Sequence, residues 1–229
     1  MLITRYLWSK LSISSGFQSF STFVLLAATV WLAHPAMASA DKAAREIEIV
    51  ALGDSLTAGY GLSPRDGFVP QLQAALRQRG HHVRVLNAGV SGDTSSGGRA
   101  RLEWSVPPSA DAVIVELGAN DALRGVNPSI TRENLTAIIT TLQGRQLPIL
   151  LAGMYAPPNL GAAYGDQFNS IYPELADTYD TLYYPFFLDG VATQRHLNLA
   201  DRIHPNRAGI EIIVSKILPT VEKLILQVK

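Results

Sequence analysis

Short apolar runs alternate with helix-period segments along most of this chain, and that alternation limits its fold more than any other feature. Glu46–Leu52 (E-I-E-I-V-A-L), His82–Leu86, Ala112–Leu117 (A-V-I-V-E-L), Pro148–Ala152 and the weaker Thr181–Tyr184 read as strands. Between them, Phe68–Arg79 reads as a helix stopped by Gly80. Ser129–Leu142 reads as another, capped by Asn127 with Pro128 in its first turn. Gln167–Tyr179 is a third. The last begins near Pro205, with Ile210, Ile213, Val214, Ile217, Leu218, Val221, Leu224 and Ile225 on one face, and Pro219 is expected to kink or restart it. Apolar strands separated by helices predict a parallel sheet buried on both faces. The expected architecture is an α/β, flavodoxin-like three-layer sandwich with five parallel strands.

In such sheets, ligands sit beyond the carboxyl ends of the strands. The polar residues of the chain gather there. Gly53-Asp54-Ser55 follows the first strand, Asn87 through Thr94 the second, and Gly118-Ala119-Asn120-Asp121 the third. Asp201–His204 lies in the last loop before the final helix.

These residue types suit nucleophilic catalysis. A serine hydroxyl is a weak nucleophile until a base takes its proton, and the base needs a third group to orient it. Ser55 sits in a strand-to-helix turn. Asp201 and His204 are three apart, so one turn can bring both side chains to one side. A developing oxyanion needs donors, and the backbone N–H groups of Ser55 and Gly92 with the Asn120 amide are suitable. Taken singly, each residue has a plainer role available: Ser55, Asp93 or Thr94 as a helix cap, Asn120-Asp121 as a turn, His204 as a loop histidine. Four such clusters, each at a strand end, are harder to account for by capping.

The blocks G-D-S-L-T (53–57), S-G-D-T (91–94), G-A-N-D (118–121) and D-R-I-H-P (201–205) resemble those of the SGNH/GDSL hydrolase superfamily. L-G-A-N-D-A-L-R-G (117–125), I-Y-P-E-L-A (171–176) and Y-P-F-F-L (184–188) resemble most the bacterial multifunctional acyl-CoA thioesterase/lysophospholipase and arylesterase group. The resemblance spans roughly Ile49–Ile225. It implies Ser55, Asp201 and His204 as catalytic triad and Ser55, Gly92 and Asn120 as oxyanion hole. It also implies thioesters, lysophospholipids and aryl or short-chain esters as substrates. Gly89 competes with Gly92 for the second block, and S-G-D-T favours Gly92. Ala119 stands where close relatives often have glycine. The G-x-S-x-G elbow of the α/β-hydrolases is absent, since Leu56-Thr57 follow Ser55.

Apolar loop residues near the expected site, with Leu123, Tyr155 and Pro157 foremost, are candidate substrate contacts; packing between loops is the competing explanation. Two other functions use the same features differently. One is acyl transfer to, or deacetylation of, cell-envelope carbohydrate. The other is a non-catalytic flavodoxin-like binding module, for which a complete Ser–Asp–His set would be superfluous.

The rest of the sequence narrows the setting. The 229 residues contain no cysteine, which excludes a thiolate nucleophile and cysteine-based metal sites. Basic and acidic residues balance at 19 each, giving no basic field for nucleic acid. Neither a cofactor nor a metal is expected; His81 and His82 are adjacent in a strand start and point to opposite faces, so they do not share an ion. The S-G-D-T-S-S-G-G stretch (91–98) lacks the G-K-[ST] of a phosphate loop. Glu116, in an apolar strand, has no catalytic role assigned. Arg5 and Lys10 are the only charged residues before Asp41, Phe20–Ala33 is a short apolar run, and Ala38-Ser39-Ala40 follows. These are the parts of a secretory signal peptide, and the run is shorter than the roughly 20 residues of a membrane span. Residues 1–40 are therefore expected to be removed after Ala40, leaving 41–229 as one periplasmic or secreted, monomeric hydrolase domain with no membrane anchor.

Overall fold

The computed structural model describes residues 45–228. The expected signal peptide and its cleavage site lie outside them. Five strands form one parallel sheet: β1 (Ile47–Gly53), β2 (Val83–Gly89), β3 (Ala112–Glu116), β4 (Ile149–Ala152) and β5 (Leu182–Tyr184). Their order is β2-β1-β3-β4-β5. The middle strands are apolar on both faces because both are covered: Ile49–Leu52, Ala112–Val115 and Leu150–Leu151 are all fully buried. On one face, α2 (Phe68–Gln78) packs against α9 (Arg207–Leu226). On the other, α6 (Pro128–Gly144) packs with α3 (Ser95–Ala100), α7 (Ala162–Asn169) and α8 (Ile171–Thr178). This is the three-layer α/β sandwich the alternation predicts. Among the described residues, no helix is long and apolar enough to cross a membrane.

The order of the strands reverses between β1 and β3, and that reversal leaves a crevice at their carboxyl ends. Register fixes its floor. Gly53 of β1 lies level with Gly89 of β2 and with Glu116 of β3, so the three following loops leave the sheet at the same height. Short helices begin there: α1 (Ser55–Ala58) after β1, and α5 (Ala119–Leu123) after β3. A further one-turn helix, α4 (Leu102–Ser105), follows α3.

Two expectations about helices are corrected. The single helix over Gln167–Tyr179 is two, α7 and α8, joined at Ser170. Pro173 explains the break: its ring clashes with the carbonyl four residues back, at Asn169, where α7 ends. Pro219 does not restart the helix: α9 runs unbroken from Arg207 to Leu226. The carbonyl that Pro219 leaves unpaired belongs to Ser215, an exposed residue that water can reach. Buried Ile213, Val214, Ile217 and Leu218 before the proline, and Val221 and Leu224 after it, hold both halves on the sheet. Asn127 caps α6 as expected, accepting from Ser129 N at 3.0 Å.

Candidate active site

Ser55 is the first residue of α1, and Asp54 before it caps the helix by accepting from Leu56 N at 2.9 Å. A four-residue helix ending at left-handed Gly59 turns the chain back sharply, so Ser55 stays at the sheet edge. From the other end of the chain, Asn198 and Pro205 bridge to close a loop, with Leu199 N donating to the His204 carbonyl at 2.8 Å. Within it, Asp201 Oδ1 accepts from Ile203 N and His204 N at 2.9 and 3.0 Å. Asp201 Oδ2 lies 2.8 Å from His204 Nδ1, and His204 Nε2 lies 2.9 Å from Ser55 Oγ. The three residues expected to act together are thus in one hydrogen-bonded line. The Tyr60 ring packs against the His204 ring, centroids 4.5 Å apart, and restricts its rotation.

Backbone N–H donors hold the Asp201 carboxyl below the usual range, down to about 2, with the His204 side chain adding to the effect. It is therefore a carboxylate at any pH where ester hydrolysis is measured.

The other clusters meet on the far side of Ser55. Asn120, in α5, donates through Nδ2 to the Asp93 carbonyl at 2.9 Å and to Asp54 Oδ2 at 3.1 Å. Gly92 sits in the loop beside Asp93 at φ +85°, a left-handed conformation suited to glycine. Its carbonyl accepts from Arg124 Nη2 at 2.8 Å. Gly89 has a different job: a Cβ there would run into the backbone of Ala58. The two candidate glycines of this block are thus separated, Gly89 by close packing of β2 on α1 and Gly92 by the loop conformation.

Arg101 escaped the sequence reading, and the partners of Asp121, Glu116 and Asp54 emerge only from the fold. Arg101, 6% exposed, donates to Asp93 Oδ2 at 2.5 Å, to the Ala88 carbonyl at 2.8 Å, to Ser105 Oγ at 2.9 Å and to the Gly53 carbonyl at 2.8 Å. It ties the ends of β1 and β2 to the Asp93 loop. Asp121 is buried and accepts from Ser95 N at 2.7 Å and Thr131 Oγ1 at 3.1 Å, fastening α5 to α3 and α6. Glu116 faces the sheet end beneath the site: its Oε2 accepts from Thr57 Oγ1 at 2.8 Å. Full burial, with Asp54 nearby, pushes the Glu116 carboxyl well above the usual range. Burial likewise raises Asp54 to about 6, against the opposing pull of its hydrogen bonds. The only sequence signal for this layer is a charged or polar residue inside an otherwise apolar or small-residue segment.

A cavity of about 640 Å³ opens beside Ser55 and His204. Leu123, Tyr155 and Pro157 all line it, as does Phe186, whose ring stacks on Tyr155 at 4.6 Å. A groove of about 690 Å³ between α2 and α9 shares none of these residues and lies away from the reacting groups. Among the described residues, no group of histidine, aspartate and glutamate side chains is arranged to hold a metal ion.

A crevice at the strand-order reversal, holding a serine in hydrogen-bonded line with histidine and aspartate, is the arrangement of a serine hydrolase. The family model described as GDSL-like Lipase/Acylhydrolase matches residues 51–212, and the chain belongs to that SGNH hydrolase family. It is an enzyme that hydrolyses ester bonds. It is 37% identical to Esterase TesA of Pseudomonas aeruginosa over 178 residues, 77% of this chain and 89% of that one. It is 36% identical to the Escherichia coli protein named thioesterase 1/protease 1/lysophospholipase L1, over 72% of this chain and 79% of that one. Among solved structures it is similar to AlinE4, an SGNH-hydrolase family esterase, with a TM-score of 0.67 and 46% identity over 78% of this chain and 96% of that one.

Proposed function

We propose that this chain is a periplasmic or secreted serine esterase that cleaves carboxylic esters or thioesters through an acyl-enzyme on Ser55. The observation that carries this reading is the unbroken line Asp201 Oδ2, His204 Nδ1, His204 Nε2, Ser55 Oγ, with 2.8 and 2.9 Å gaps. His204 Nε2 takes the Ser55 proton as Oγ attacks the carbonyl carbon. The imidazolium so formed is stabilised by Asp201. The oxyanion receives hydrogen bonds from Ser55 N–H, Gly92 N–H and the Asn120 amide. Collapse breaks the ester bond, and His204 returns the proton to the leaving alcohol or thiol. Water then repeats the sequence on the acyl-enzyme and releases the acid.

The substrate is a small-molecule or lipid ester. The apolar wall carrying Leu123, Tyr155 and Pro157 suits an acyl chain, and the names of the relatives include arylesterase, thioesterase and lysophospholipase. No metal, cofactor or nucleic acid takes part, and the domain works as a monomer over residues 41–229 once residues 1–40 are removed.

A p-nitrophenyl ester series of increasing chain length tests the reading. The wild-type protein hydrolyses it, and Ser55→Ala and His204→Ala lose that activity. Asp201→Asn keeps the fold and loses on the order of 10⁴ in kcat, because an amide does not stabilise the imidazolium. Wild-type rates in Ser55→Ala would overturn the assignment.

A further inference from the structure

One side chain on the wall of the active-site cavity does not match its apolar neighbours. Apart from the His204 ring, Arg202 is the one basic side chain there. Its guanidinium has no hydrogen-bond or ion-pair partner among the described residues; only its backbone N–H is used, donating to the Leu199 carbonyl at 3.0 Å. The acids nearby are already engaged. Asp201 is committed to His204, and Asp54 to Leu56 N and Asn120. Arg101 and Arg124, in contrast, are bound to carbonyls of the site's own loops.

The backbone adds a second, independent observation. Arg202 sits at φ +63°, in the left-handed region that penalises a residue with a Cβ and costs glycine nothing. The loop needs that conformation to bring Leu199 N to the His204 carbonyl and to fold Asp201 onto His204. Glycine or asparagine would meet that need with less strain. The turn does not call for an arginine at this position, and this one is exposed beside the cavity with its guanidinium unpaired.

We propose that Arg202 is an anion-recognition residue of the cavity, favouring esters that carry a carboxylate or phosphate group close to the scissile bond. This rests on the reading of the cavity as a Ser55-dependent ester site. A guanidinium stays charged at all relevant pH values, sheds water more readily than an ammonium and forks onto two oxygens of a carboxylate or phosphate. Beside an apolar wall the attraction is screened less than in open water.

Two matched pairs of short-chain substrates test the proposal. Ethyl hydrogen succinate against ethyl butyrate puts the anion on the acyl side. Monoacylglycerol phosphate against monoacylglycerol puts it on the alcohol side. The readout is the ratio of kcat/KM, anionic over neutral, within each pair. In at least one pair, Arg202→Gly lowers that ratio about tenfold, the scale of one charge-assisted contact. Arg202→Glu lowers it further, Arg202→Lys restores part of it, and added salt erodes it in the wild type. The responding pair identifies the side, and with it a carboxylate or a phosphate as the group recognised. Ratios equal in wild type, Arg202→Gly and Arg202→Glu would overturn the proposal while neutral esters are still cleaved in a Ser55-dependent way. Neutral esters left intact by the wild type, or cleaved as well by Ser55→Ala, would overturn the ester-site reading beneath it.

Discussion

Both hydrogens of the Asn120 amide are in use in the free protein, one on the Asp93 carbonyl and one on Asp54 Oδ2. To stabilise an oxyanion the amide shares or gives up one of them, and the bond to Asp54 is the longer. The exchange becomes favourable only as charge develops on the substrate oxygen, so the contribution belongs to the transition state. Asn120→Ala is therefore expected to lower kcat by roughly 10²–10³ with KM little changed. Kinetics on a short-chain ester beside a melting curve check this; normal kcat with a lowered melting temperature would make Asn120 a turn residue only. Asp54 itself gives a pH signature. Its folded-state value of about 6 lies above the ordinary carboxylate range, so the folded protein binds that proton more tightly than the unfolded chain. Stability from this group is full at low pH and falls as pH rises from about 4 to about 6. Urea titrations across that window should show the difference between wild type and Asp54→Asn growing as pH rises, in the direction that disfavours wild type; a constant difference would contradict it. Ser55 and Asn120 were legible because each follows a strand end in a short polar block, and Asp201 and His204 because they stand three apart in a polar block just before the last helix. Arg101's bonds to the Ala88 and Gly53 carbonyls and Asp54's bond to Asn120 were not, because these partners lie 13 to 66 residues away and only the fold brings them together.

At the scale of elements, the turn after β3 is the most tightly specified. Gly118 holds φ +117°, and a Cβ there would run into the Tyr172 hydroxyl, which itself donates to the Leu117 carbonyl at 2.9 Å. Gly118→Ala should cost upwards of about 2 kcal/mol from backbone strain and displacement of a buried ring. Because α5 starts at this point, the same substitution should depress kcat through Asn120. Denaturant midpoints with kcat per folded molecule test both, and an alanine variant as stable and active as wild type would contradict the packing argument. Strand positions were readable from continuous apolar runs, and α2, α6 and α9 from helical periodicity. The short helices α1, α3, α4 and α5 were not, since four to six residues carry too little periodicity to register. The prolines misled in opposite directions. Pro173 breaks a helix that periodicity joins, whereas Pro219 is tolerated because the carbonyl it strands faces water. Pro219→Ala should accordingly stabilise the protein by about 1–3 kcal/mol, read from the same denaturant midpoints.

For the whole molecule, the strand order β2-β1-β3-β4-β5 is what turns scattered blocks into one site. Residues 55 and 204 are 149 apart in sequence, and they meet because the loops after β1 and before α9 both open at the carboxyl edge of the sheet. The three-layer class followed from the alternation of segments. Lateral order did not, since each strand reads alike whether central or at the edge. The N-terminal segment lies outside the described residues, and its removal is tested on exported protein. N-terminal sequencing is expected to begin at Asp41, and an intact residue 1–40 segment in the membrane fraction would contradict that expectation.

The central claim is that Ser55 carries the acyl group. Its most direct test is intact-mass and peptide-map analysis after reaction with a fluorophosphonate. One adduct per chain is expected, on the peptide containing Ser55, with hydrolysis lost in proportion to labelling. An adduct on another residue, or full hydrolytic activity in fully labelled protein, would contradict it.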